Sequence, residues 1–137
     1  MERDTSSILS LNEMQKILQK YFPAEEFDTI KLPKGYTIFQ KDETPEGLYM
    51  LSKGSIKICV PKKDGQDEIL RILIPPAVFG FKHLLTDTKF LTDAITLEPV
   101  EIKMVAKELF LYLVKKNPDL METFLTFLGL DDIERER

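Results

Sequence analysis

The 137 residues are 43% hydrophobic and 31% charged, which supplies enough apolar material for one folded domain with a real core. A net charge of −4 and a pI near 5.1 argue against a chain that wraps a phosphate backbone itself. A lone cysteine, Cys59, excludes an internal disulfide and any zinc or iron–sulfur site built on cysteines. No apolar run approaches membrane-spanning length, and MERDTSSILS lacks the basic start and apolar core of a signal peptide, so a cytoplasmic location without a membrane partner is expected.

The first predicted element is a helix over 10–21. Ser10 and Glu13 form a capping box, Leu11, Met14, Ile17, Leu18 and Tyr21 recur at helical spacing, and Pro23 ends the run. From about residue 27 to 105 the texture changes to short β runs: FDTIKL, YTIFQ, LYMLS, SIKICV, EILRILI, TDAITL and VEIKMV. Lys34-Gly35, Thr44-Pro45-Glu46-Gly47, Lys53-Gly54 and Asp64-Gly65 punctuate them. Asp64-Gly65 is the clearest hairpin signal. In the strand before it Ile56, Ile58 and Val60 alternate with Ser55, Lys57 and Cys59, which predicts one buried face. Antiparallel strands at this spacing indicate a sandwich or roll.

Helix returns in AKELFLYLVKK, and Asn117-Pro118 then reads as an N-cap with proline at the first helical position. The following helix, DLMETFLTFL, is expected to break at Gly129, leaving LDDIERER as a charged tail. Leu120, Met121, Phe124, Phe127 and Leu128 cover more than one face of that helix, which makes them interface candidates for a homodimer. With no repeat or linker, residues 1–137 read as one domain: a roll over about 25–105 and C-terminal helices over about 106–128.

The stretch AVFGFKHLLTDTKFLTDAI, residues 77–95, carries the chain's one histidine and lies between strand runs. A turn at Gly80 opening into a short helix would turn backbone N–H groups toward an anion. His83 reads as a half-exposed helix residue, with no second ligand to make it a metal or haem site. Cys59 reads as an ordinary strand cysteine. No Ser/His/Asp or Cys/His set, carboxylate pair or metal cluster can be assembled, so no catalytic residue, metal or cofactor is expected.

Residues 32–81 closely resemble the cyclic-nucleotide-binding β-roll, and specifically the effector domain of Crp/Fnr-type bacterial transcription regulators. The resemblance rests on Lys34-Gly35, Leu48-Tyr49, Lys53-Gly54-Ser55-Ile56-Lys57, the Asp64-Gly65 turn and Phe79-Gly80. VKKNPDLMETFL looks like the helix leading into that family's dimerisation helix, and the likeness covers roughly residues 25–128. It implies a mostly β fold, a double-stranded β-roll or jelly roll of eight strands, with an N-terminal helix and C-terminal helices. It also implies a pocket between the two sheets, floored by the loop after Gly80.

The departures fall at the chemistry. Nucleotide-binding members of the family place a glutamate for the ribose just after this turn, where the chain has Phe81. They place an arginine for the cyclic phosphate a little later, where KFLTDA offers Phe90, Thr92 or Asp93. No arginine lies between Arg71 and Arg135. A phosphate in a partly desolvated pocket needs a paired cation, and arginine's fork supplies two parallel bonds. Lys82 or Lys89 could offer only a point charge. The pocket candidates are thus Phe79, Gly80, Phe81, Lys82, His83, Phe90, Thr92 and Asp93, and Phe79, Phe81 and Phe90 either line an apolar pocket or fill the nucleotide's volume.

Taken together, these readings predict the effector-sensing domain of a Crp/Fnr-type regulator whose pocket is degenerate for cyclic nucleotides. Its effector would be a small molecule of unidentified chemistry. DNA would be reached only through a C-terminal domain missing from this chain. The alternative is a stand-alone protein-interaction module of the same fold with no small-molecule ligand.

Overall fold

The computed structural model describes residues 16, 19–22 and 27–135, with side chains through residue 126. Most of the predicted N-terminal helix, its capping box included, lies outside the described residues. Lys16 and residues 19–21 are helical, and Phe22 is fully buried.

Eight antiparallel strands form two four-stranded sheets. They are β1 (Asp28–Leu32), β2 (Thr37–Phe39), β3 (Gly47–Lys53), β4 (Ile56–Pro61), β5 (Asp67–Leu73), β6 (Ala77–Phe79), β7 (Asp93–Thr96) and β8 (Val100–Ala106). One sheet runs β1-β8-β3-β6 and the other β2-β7-β4-β5. After residue 27 the described helices are α1 (Phe81–Thr86), α2 (Lys107–Lys116) and α3 (Pro118–Arg135).

Strand β3 explains the layering. Its residues are apolar on both faces, so the period of two sends Leu48 and Met50 one way and Tyr49 and Leu51 the other. Leu48 and Met50 join Val78, Val105, Phe110, Val114, Leu120 and Phe124 in a core between the first sheet and the helices. Tyr49 and Leu51 join Phe39, Ile56, Leu73, Phe79, Phe90, Ala94 and Ile102 in a second core between the sheets.

The Asp64-Gly65 hairpin forms between β4 and β5. Gly65 has φ 86°, its N–H donates to the Lys62 carbonyl, and the Asp64 carboxylate accepts from the Gln66 N–H. Along β4 the predicted alternation holds at Ile56, fully buried, and at Ile58, packed on the inter-sheet core, but fails beyond them: Cys59, expected on the open face, is completely buried and Val60 only half-buried. The register with β5 slips by one residue at this point: Ile58 faces Arg71 and Cys59 faces Ile69, so Leu70 has no partner on β4.

Two boundaries differ from the sequence reading. The strand β6, only AVF, hides inside what the sequence shows as an apolar turn, because three residues are too few to display a period. Helix α3 continues through Gly129 to Arg135 instead of stopping there. A glycine inside a helix costs about 1 kcal/mol relative to alanine, and it ends a helix only where the backbone turns left-handed.

Candidate functional site

The site expected after Gly80 is built by β6, α1 and the loop that returns to β7. Gly80 has φ 88° and forms the left-handed N-cap of α1. A Cβ there would lie 3.0 Å from Cδ2 of Tyr49 and 3.3 Å from the Gly47 carbonyl oxygen, so both backbone angle and space call for glycine.

Four aromatic rings occupy the inter-sheet space beside this turn. Phe39 and Phe90 stack with centroids 3.7 Å apart and planes within 6°. Tyr49 and Phe79 stack at 5.2 Å, and Phe39 lies 6.2 Å from Tyr49 and 6.3 Å from Phe79. All four are buried. Of the candidates from sequence, Gly80, Phe79 and Phe90 therefore come together here. Phe39 and Tyr49 were not singled out for the site, although their alternation within YTIFQ and LYMLS places each facing inward.

Phe81 goes elsewhere. Its ring packs against Phe124 at 5.1 Å, beside the helical core, so it is separated from the other two candidate phenylalanines. The reason is the helix: as the first residue of α1 it points toward α3, whereas Phe79 on β6 points between the sheets.

The polar candidates are engaged in local structure. One Asp93 carboxylate oxygen accepts from the Lys41 N–H at 2.7 Å. The same turn is zipped to the 88–93 loop by the Asp42 N–H to the Phe90 carbonyl (2.8 Å) and the Phe90 N–H to the Glu43 carbonyl (3.0 Å). His83 Nδ1 lies 2.9 Å from the Thr88 hydroxyl, and its ring meets Phe90 edge-on at 5.4 Å. Lys82 and Thr92 are half-buried at the rim, whereas Lys89 is exposed. Burial raises the Tyr49 phenol above its ordinary value, and the nearby Glu46 and Glu43 carboxylates raise it further, so the hydroxyl is neutral and the rim it faces is acidic. An anion would meet no arginine here and two glutamates.

The interface candidates separate as well. Leu120 and Phe124 are completely buried in the chain's own helical core, with Phe124 edge-on to Phe110 at 5.1 Å, and Met121 packs at its margin. They were expected at an interface because the apolar residues of α3 cover more than one of its faces; one of those faces is consumed by α2 and the first sheet. The side chains of Phe127 and Leu128 lie outside the described residues. Among the described residues no group of three or more histidine, cysteine, aspartate or glutamate side chains is placed to hold a metal ion, and no helix is long and apolar enough to cross a membrane.

An eight-stranded antiparallel roll, flanked by helices on one sheet and carrying a glycine-capped short helix beside the inter-sheet space, defines the class of a helix-flanked double-sheet β-roll. The family model described as "Cyclic nucleotide-binding domain" matches residues 29–117, and the chain belongs to that family. Its relatives include bacterial regulators of the Crp/Fnr type. It is 32% identical over 92 residues to the "cAMP-activated global transcriptional regulator CRP" of Pasteurella multocida, a match covering 66% of this chain and 44% of that protein. Among solved structures it superposes on the Thermus thermophilus catabolite activator protein with TM-score 0.75 and 22% identity, over 90% of this chain and 56% of that one. It likewise superposes on the sensor domain of the transcriptional regulator DNR from Pseudomonas aeruginosa with TM-score 0.74 and 21% identity, over 91% and 92%. The chain spans less than half the length of the bacterial CRP relatives it matches.

Proposed function

We propose that this chain is the effector-sensing domain of a Crp/Fnr-type transcription regulator, working as a homodimer, with its pocket closed to cyclic nucleotides. The observation that carries the reading is the stacked pair Phe39–Phe90, with Tyr49 and Phe79 beside it, in the space between the sheets. Those rings fill volume that a sugar and a phosphate would need, and Asp93, one of three residues offered for the arginine position, has its carboxylate on the Lys41 backbone. An effector suited to this lining is apolar or aromatic, because rings gain from burial and stacking where a phosphate gains nothing. Output to DNA would pass through a domain not contained in these 137 residues, consistent with the net charge of −4. No catalytic role is assigned. Calorimetric titration with cyclic AMP and cyclic GMP tests the closed pocket.

A second reading, a protein-interaction module without a small ligand, is favoured by one feature, the row of exposed aliphatic side chains on β5.

A further inference from the structure

The two sheets treat their lysines differently. On the second sheet Lys57 pairs with Asp67 at 3.4 Å, and Lys62, just past β4, reaches Glu68 at 4.0 Å. On the first sheet the helices cover the face that carries Leu48, Met50 and Val105. The period of two continues that face along β8 to Lys103 and Glu101. Strand register sets Thr29 and Met50 on either side of Lys103, and Lys31 and Lys53 on either side of Glu101. Three exposed lysines therefore surround one half-buried glutamate. Among the described residues none of the three makes an ion pair. In a chain with 23 acids and 19 bases, this is a local excess of cations.

An open groove of about 450 Å³ lies at the same end of the sheet. Lys31, Lys53 and Glu101 border it, and Leu32, Pro33, Pro99 and Val100 give it apolar walls. The neighbouring acid, Glu98, accepts a hydrogen bond from the Ser55 hydroxyl. Lys31 and Lys53 stand two strands apart, which separates their backbones by about 10 Å. A compact anion placed midway would press on Glu101, so a lone phosphate is poorly suited. An extended acidic segment straddles that glutamate. Its same-face side chains recur about every 7 Å, and flexible lysine stems close the difference, so each lysine meets one carboxylate. A flanking aliphatic side chain then lies against the proline walls.

We propose that this groove docks an extended acidic segment of a partner protein, with Lys31 and Lys53 each taking a carboxylate. The surface lies apart from the closed inter-sheet pocket, and the proposal does not depend on it. Fluorescence anisotropy at low ionic strength tests it, using a fluorescein-labelled peptide with valine at both ends and two glutamates alternating with serines between them. Thermal unfolding shows that each variant is folded. Chain and peptide are both net negative, so overall attraction cannot produce binding and only a local patch can. The wild type binds saturably below about one millimolar peptide. Lys31→Glu with Lys53→Glu weakens binding by about tenfold or more, because two attractions become repulsions. Lys62→Glu with Lys63→Glu changes the net charge equally and leaves binding within about twofold. Glu101→Gln strengthens it. Amide shifts on titration fall in residues 29–33, 53 and 99–103. No saturable binding overturns the proposal, as does equal weakening by the two lysine pairs. Equal binding of the same peptide with lysines for glutamates overturns it too. Tighter binding to phosphatidylserine vesicles, lost with Lys31 and Lys53, overturns it in favour of a lipid surface.

Discussion

At the scale of single residues, the aromatic plug is where energy is concentrated. Phe39 touches the other three rings and is 6% exposed, so replacing it with alanine removes a stacked partner and leaves a void between the sheets. Phe39→Ala should lower unfolding free energy in urea by about 3–5 kcal/mol. A loss below about 1 kcal/mol would mean that the sheets collapse onto the site or that the rings are not packed as described. Cys59 offers a pH test. It presents no surface, and burial, with Asp67 and Asp93 nearby, pushes its thiol above the ordinary 9.0 while Lys57 pulls the other way. The folded chain then holds this proton more tightly than the unfolded one. Its contribution is complete below the unfolded thiol pKa and is lost as pH climbs through 9.0 toward the raised folded value. Stability should decline over that alkaline range with a shallower slope in Cys59→Ala. Near neutral pH a thiol reagent should label the folded chain far more slowly than the urea-unfolded chain, and equal rates would contradict the burial.

At the scale of elements, legibility followed the length over which a pattern repeats. The β4–β5 hairpin could be read from Asp64-Gly65 and the flanking alternation, because the turn demands a positive φ that glycine supplies. The strand β6 could not, since three residues give no period. The end of α3 was misplaced because Gly129 is a propensity signal, and such signals yield to helix continuity. Which apolar face of α3 would be covered within the chain was likewise hidden, since Leu120 and Phe124 read the same whether they meet α2 or another molecule. At the site, the missing arginine was plain from the sequence, but the partnership of Phe39 with Phe90, 51 positions along, depends on loop pairing through Asp42 and Glu43. Helix α1 tests the turn itself. Gly80→Ala forces a non-glycine residue to φ 88° with its Cβ against Tyr49, and should cost about 1–3 kcal/mol. A neutral substitution would show that the turn relaxes without disturbing the plug.

At the scale of the whole molecule, the two cores divide the labour. The helical core ties α2 and α3 to the first sheet, and the inter-sheet core holds the two sheets together. A change in the second core can reach the first through β3, whose alternate side chains belong to each. The fold itself asks of its strands only inward apolar residues, whereas a bound phosphate asks for a particular cation, so the two are separable in such a roll.

The central claim is that this pocket does not accept a cyclic nucleotide. Loss of a buried ionic partner costs about 3–5 kcal/mol, which is about two to four orders of magnitude in affinity. The rings of Phe39 and Phe90 add a volume that a ligand would have to displace. Isothermal titration of the 137-residue chain with cyclic AMP and with cyclic GMP measures this directly. The account predicts no saturable heat at micromolar ligand. Saturable binding with a dissociation constant of about one micromolar (roughly −8 kcal/mol) would contradict it.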